Sequence, residues 1–324
     1  MEKRGSIHFL NFKLMLILIN IFVFALIFSF FYKTLDNSFL SNNSGEIYGA
    51  SFPDLRIDLY SELEAELEAN VHSCNGVIEV RDCGDSVETQ AKQIMDMAYS
   101  GAGTIFVCPV KSFGLEDTFE KCREMGIQIL TVGNLAANKD NINYAVSSEN
   151  YEAGVQMSSC LAGTVESGKI LIIGEENSLT SDERIAGFVS LLSQNDNYKI
   201  SKTVLNSGKA EEARDAVLEK IKNEGKFDAV FAVTDRIGMG AYAAIKKRGH
   251  ENDTRILTVD GSPDGRKMVE AGRFLGSSGQ YPSVIAKRAV ELAGSEGGTG
   301  QEVRVPVRLI TRNTITSYNL SKWD

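Results

Sequence analysis

The 324-residue chain is too long for one compact core of ordinary size and suits two lobes after a short N-terminal segment. Its 43% hydrophobic and 24% charged residues are those of a globular protein, and a net charge of -9 disfavours nucleic-acid binding, which wants a basic face. Residues 1–45 carry four basic and two acidic side chains, so the remainder sits near -11.

Residues 14–32 run for nineteen positions without a charge, long enough as a helix to span a hydrocarbon core of about 30 Å. Lys3, Arg4 and Lys13 precede the run and Lys33 follows it. The positive-inside tendency then predicts residues 1–13 in the cytoplasm and the folded part outside, in a single-pass protein of the cell membrane. A cleavable signal would end on a small-x-small site, which Phe28-Ser29-Phe30-Phe31-Tyr32-Lys33 lacks. Residues 14–32 therefore read as an uncleaved transmembrane anchor, and residues 33–45, rich in Asn and Ser, as a polar tether.

From residue 46 onward short β-branched runs alternate with stretches of helical period. A strand over 47–51 precedes a helix over 57–69 with Leu59, Leu63 and Leu67 at helical spacing. Strand 77–80 precedes helix 87–99, strand 104–107 precedes helix 115–125, and strand 127–132 closes the first set. A second set after Asn150 places strands near 169–173, 200–205, 229–233 and 255–259, with helices between. Near-continuous apolar strands alternating with helices imply parallel sheets covered on both faces. Two sets imply two α/β lobes, with ligands at the carboxyl ends of the strands. The residues there are polar, small or turn-forming: Ser51 to Arg56, Cys108-Pro109, Gly133-Asn134, Thr234-Asp235 and Asp260 to Gly265.

Other chemistry is thinly supported. Cys74, Cys83, Cys108, Cys122 and Cys160 are odd in number and form no Cys-x-x-Cys pair, and the strand between Cys74 and Cys83 spans roughly 20 Å, beyond disulfide reach, so free thiols are expected. His8, His72 and His250 are the only histidines and none neighbours the strand-end loops. There is no nucleophile elbow and no metal-ligand spacing, so no catalysis, no metal and no cofactor are expected. Gly238-Met239-Gly240 follows a strand, but Thr234 to Ile237 intervene where a dinucleotide motif needs its first glycine in the turn. Close packing inside a helix is the reading there.

The outer part, residues 47–312, resembles the periplasmic sugar-binding proteins of the ribose/xylose type. The resemblance is carried by Val259-Asp260-Gly261-Ser262-Pro263-Asp264-Gly265, Gly279-Gln280-Tyr281-Pro282, Phe231-Ala232-Val233-Thr234-Asp235 and Glu183-Arg184-Ile185-Ala186-Gly187-Phe188. The opening Ser51-Phe52-Pro53-Asp54-Leu55-Arg56 looks most like the xylose-binding branch. The resemblance implies a type 1 periplasmic-binding-protein fold of two lobes with three hinge crossings, near Ser148, Gln280 and Val307. The N-terminal lobe would comprise 46–148 and 281–307, and the C-terminal lobe 149–280 and 308–324. Lobes of this kind close on their ligand about the hinge.

Matched position by position, the implied sugar contacts are Ser51, Arg56, Asn134, Asp182, Thr234, Asp260 and Gln280, with Phe52 and Tyr281 as candidates to cover the apolar face of the ring. Three departures stand out. Gly133-Asn134 occupies the place of an Asp-Arg pair, Thr234 that of an asparagine, and Gly208 aligns with an aromatic residue of the second lobe. The implied function is a sugar receptor, with a pentose such as xylose as ligand. Its expected partner is a membrane histidine kinase, as in anchored members of the family, or alternatively the permease of an ABC importer.

Overall fold

A computed structural model describes residues 46–193, 196–295 and 298–323. The expected anchor and tether lie outside the described residues. Among the described residues no helix is long and apolar enough to cross a membrane.

The first sheet holds β1 (Ile47–Phe52), β2 (Val77–Asp82), β3 (Thr104–Val107), β4 (Gln128–Val132), β5 (Tyr144–Ser148) and β11 (Gln301–Val305), in the order β11-β5-β4-β3-β1-β2. The second holds β6 (Gly168–Glu175), β7 (Tyr198–Leu205), β8 (Ala229–Ala232), β9 (Arg255–Asp260), β10 (Gly276–Gly279) and β12 (Arg308–Thr311), in the order β12-β10-β9-β8-β6-β7. Helices α1 (Asp58–Ser73), α2 (Val87–Tyr99) and α3 (Glu116–Glu124) belong to the first set of strands. Helices α4 (Asn150–Ala162), α5 (Leu179–Leu192), α6 (Ala210–Glu224), α7 (Asp235–Lys247) and α8 (Pro263–Glu270) belong to the second. Helix α9 (Pro282–Ala293) returns to pack on α1, β4 and β5.

The chain thus passes between the sheets three times: after Ser148, after Gly279, and between Val305 and Arg308. Sequence reading leads one to expect wholly parallel sheets. Every pairing is parallel except β10 with β12, which is antiparallel. The cause is connectivity. β12 enters the second sheet straight from the end of β11, with no crossover helix to turn the chain round.

The inner strands Thr-Ile-Phe-Val of β3 and Ala-Val-Phe-Ala of β8 are buried at every position, as expected where helices cover both faces. Phe188 of α5 stacks on Phe231 of β8 at 4.2 Å between ring centroids. Each such side chain contributes about 1.5–3 kcal/mol on burial. The helices start where polar side chains cap them. Ser86, Ser178, Thr234 and Ser262 accept the backbone N–H of Thr89, Ser181, Ile237 and Gly265. Helices α4 and α5 touch backbone to backbone. A Cβ placed on Gly154 would lie 2.0 Å from the Arg184 carbonyl oxygen, and one on Gly187 would lie 1.9 Å from that of Tyr151. Gly238 and Gly240 sit inside α7, where added Cβ atoms would meet Thr258 and the Ala210 carbonyl at 2.3 and 2.2 Å. All five cysteines are unpaired; Cys83, Cys108 and Cys122 are buried, while Cys74 is exposed.

Candidate functional site

The carboxyl ends of both sheets face one cavity of about 370 Å³. The first lobe supplies Pro53 after β1, Ile57, Leu59 and Tyr60 around the start of α1, Asp85 after β2, Pro109 to Ser112 after β3, and Asn134 after β4. The second supplies Glu175 at the end of β6, Ser178, Asn206 to Lys209 after β7, Thr234 and Arg236 beside β8, and Asp260 at the end of β9. Strand ends converge here because parallel strands all finish at the same edge of their sheet.

Asp260 is the most constrained of these groups. Its φ of 128° lies in a region that non-glycine residues rarely adopt. The following Gly261 permits the close pass, since a Cβ there would stand 2.6 Å from the Gly279 Cα. One carboxylate oxygen of Asp260 accepts from Gln280 Nε2 at 2.8 Å and Arg184 Nη1 at 3.4 Å, and the other accepts from the Asp235 backbone N–H at 3.1 Å. Burial pushes its pKa up to about 7; Arg184 opposes the shift and the Asp235 carboxylate adds to it. Asp235 is itself raised by burial, although Thr258, Ser262 and Ser277 donate to it.

Between pH 4 and 7 the folded state therefore holds a proton on Asp260 that the unfolded chain releases, so this contribution to stability is present at low pH and lost as pH rises through about 7. The unliganded protein should be more stable at pH 5.5 than at pH 8, by a few kcal/mol at most. Calorimetry across that range checks this, and Asp260→Asn should reduce the dependence to what Asp235 and Glu175 leave.

Asn134 donates to the Tyr60 hydroxyl at 3.1 Å and to the Pro109 carbonyl at 3.0 Å. Several hydrogen bonds bridge the lobes around the cavity. Lys111 Nζ reaches the carbonyls of Glu176 (3.0 Å) and Asn206 (2.6 Å), Leu179 N–H donates to Ser112 Oγ at 2.8 Å, and Leu135 N–H donates to Thr180 Oγ1 at 3.1 Å. Farther along, Arg304 makes a two-pronged pair with Glu183 at 2.8 and 2.9 Å. The cleft is closed in this structure.

Of the residues singled out by sequence, Asn134, Thr234 and Asp260 line the cavity. The other six do not. Ser51 is buried and donates to Gln93 Oε1 at 3.3 Å, and Phe52 is fully enclosed in the first lobe's core. Arg56 turns outward, its guanidinium held by both oxygens of Asp54 at 2.8 Å, and lines the adjoining groove instead. Asp182 is exposed on α5. Gln280 is a buried strut between Ser148 Oγ and Asp260, both at 2.8 Å. Tyr281 packs on the first lobe's core, with the Arg308 guanidinium 6.0 Å from its ring centroid. Sequence reading missed Tyr60, Asp85, Lys111, Glu175, Asn206 and Arg236. Glu175 and Asn206 had a usable signal, since they end or follow strands as the others do.

Comparison with known proteins agrees with the two-lobed fold. A xylitol-binding protein of Mycolicibacterium smegmatis is 29% identical over 216 residues, which span 64% of this chain and 60% of that protein. The D-xylose-binding periplasmic protein of Escherichia coli is 23% identical over 299 residues, 84% of this chain and 87% of the relative. An ABC transporter solute-binding protein from Bacillus halodurans C-125, solved with bound myo-inositol, superposes with a TM-score of 0.79 at 18% identity, covering 86% of this chain and 99% of that one. The family model of the periplasmic binding protein domain matches residues 49–298, and the chain belongs to that family.

Proposed function

We propose that this protein is an extracytoplasmic receptor for a small polyhydroxylated ligand of pentose size, and that it delivers the ligand to an ABC importer. The observation that carries the reading is the cavity of about 370 Å³ between two lobes bridged by hydrogen bonds. Carboxylates, two amides, hydroxyls and cations line it beside the apolar Ile57 and Leu59. A sugar hydroxyl both donates and accepts, so it is matched by such an array. The binding partners printed in the relatives' names, xylitol and D-xylose, support the ligand class, and the transport role of the Bacillus halodurans protein supports import. No step of bond making is assigned to the site, and the relatives named above are binding proteins.

A second reading, presentation of the bound ligand to a membrane histidine kinase, is favoured by the uncharged run over residues 14–32, which would anchor the receptor beside its partner. Cross-linking in salt-washed membranes separates the two: a permease captured by the full-length chain supports import, and a sensor kinase supports signalling. Calorimetry on the full-length protein in detergent, with xylose, ribose, arabinose, glucose and their polyols, tests the ligand class. Dissociation constants near the micromolar range, about -8 kcal/mol, are expected for a pentose-sized compound. Silence across the whole panel would sink the proposal.

A further inference from the structure

One aromatic side chain is buried without belonging to either lobe's core. Trp323, the chain's single tryptophan, is 9% exposed and joins neither lobe's hydrophobic cluster. It lines the groove of about 570 Å³ that adjoins the ligand cavity, but not the cavity itself. The first lobe contributes Ile57, Asp58 and Leu59 to that groove, and the second contributes Met239 and Ser262.

The segment that carries this side chain is fastened to the second lobe. Ile315 enters that lobe's core, and Tyr318 and Leu320 pack against it. Arg266 of α8 is fully buried, and its Nη1 donates to the carbonyls of Asn319 at 2.7 Å and Lys322 at 2.9 Å. The same guanidinium stands 5.1 Å from the centroid of the Tyr318 ring. Charge-assisted bonds to two carbonyls fix the backbone just before Trp323, so the indole moves with the second lobe. Past Leu320 the chain faces the first lobe. Lys322 lies within electrostatic reach of Glu62 on α1, as Lys267 on α8 does of Asp58 at the start of that helix.

An indole carried by one lobe, outside its core and beside the other lobe, owes part of its burial to closing. Bringing the start of α1 against it removes apolar area from water. Its Nε1 is buried and finds no hydrogen-bond partner among the described residues. A buried N–H without an acceptor costs free energy, which an open cleft recovers by hydrating it. The contact is therefore favourable through the rings and costly through the nitrogen. We infer that residues 315–323 form a strap carrying Trp323 as a latch on which the first lobe closes. Trp323 then raises ligand affinity as a positioning residue, without touching the ligand. A ligand held by both lobes binds the closed form, so whatever shifts closing shifts its apparent affinity by the same factor while the open form predominates. This rests on the receptor function proposed above.

The test uses the full-length protein in detergent with xylose, ribose, arabinose, glucose and their polyols. Any of these that binds by calorimetry should lower acrylamide quenching of the single tryptophan, a readout that needs no variant to fold. Trp323→Ala should weaken the same compound about tenfold, equivalent to about 1.4 kcal/mol, which closing over part of one aromatic side chain can supply. Trp323→Phe keeps an aromatic ring and drops the unpaired N–H, so it should bind within about threefold of the wild type. A merely structural tryptophan would lower the unfolding midpoint of Trp323→Ala and leave its affinity alone. That result, or quenching unchanged by a bound compound, would overturn the latch and leave the receptor reading standing. A phenylalanine variant as weak as the alanine one would do the same, since the indole N–H would then bond the bound compound directly. Silence across the whole panel would overturn both.

Discussion

Asp260→Ala is expected to reduce sharply the thermal stabilisation that ligand confers on the wild type. Asp260 reaches the cavity from the end of β9 with its carboxylate already oriented by Gln280, Arg184 and the Asp235 N–H. A ligand hydroxyl donating to it gains a charge-assisted bond worth about 1.5–3 kcal/mol, or roughly 10- to 200-fold in affinity. The variant should also lose stability without ligand. Arg184 and Gln280 each lose an acceptor inside the protein, and removing one member of a buried ion pair costs about 3–5 kcal/mol. The cost here should fall below that range. Arg184 keeps Asn150 and the Val233 carbonyl as partners, and the repulsion between Asp235 and Asp260 disappears. Scanning calorimetry with and without ligand separates the two effects. Undiminished affinity in the variant would reduce Asp260 to a structural strut.

The largest loss of stability is expected from Gly187→Ala. The added methyl would stand 1.9 Å from the Tyr151 carbonyl oxygen and 2.8 Å from its carbon, so helix backbone must move rather than a side chain. Overpacking typically costs about 1–3 kcal/mol, and a rigid obstacle places this case at or above the upper end. Affinity should fall as well, because α5 carries Arg184 and begins beside the cavity at Ser178. Gly294→Ala provides the control. A Cβ there meets nothing within 4 Å, so the change should stay within about 0.5 kcal/mol. Urea unfolding of both variants measures the difference. Equal midpoints would mean that the α4–α5 crossing yields more readily than its geometry implies.

The alternation of apolar strands and amphipathic helices was legible in the sequence because both periods are strong. Helix α2 spans the expected residues 87–99, and β3 the expected 104–107. The location of the cavity was legible too, since it follows from parallel strands ending together. Side-chain direction was not. Phe52 continues the alternation of Tyr48 and Ala50 and so enters the core with them. Arg56 carries the right charge, but Asp54 two residues earlier captures the guanidinium locally and turns it outward. The strand expected near 169–173 stops short of Gly174-Glu175-Glu176. The ladder extends two residues further, pairing Glu175 with Leu205, and Glu175 lines the cavity while Glu176 is exposed.

The order in which the chain completes its sheets has a consequence for biogenesis. β10 is an inner strand of the second sheet, and β11 and β12 are the outermost strands of the first and second. The first lobe's core also waits for Ile285, Ala286 and Ala289 of α9, and the second lobe's for Phe274 and Ile310. A chain synthesised or threaded from its N-terminus therefore passes residue 270 with both lobes unfinished, and residues 274–311 complete them nearly together. Such an ordering postpones assembly of the cleft until the chain has been made as far as residue 311, so that neither wall of the cleft is complete before the other.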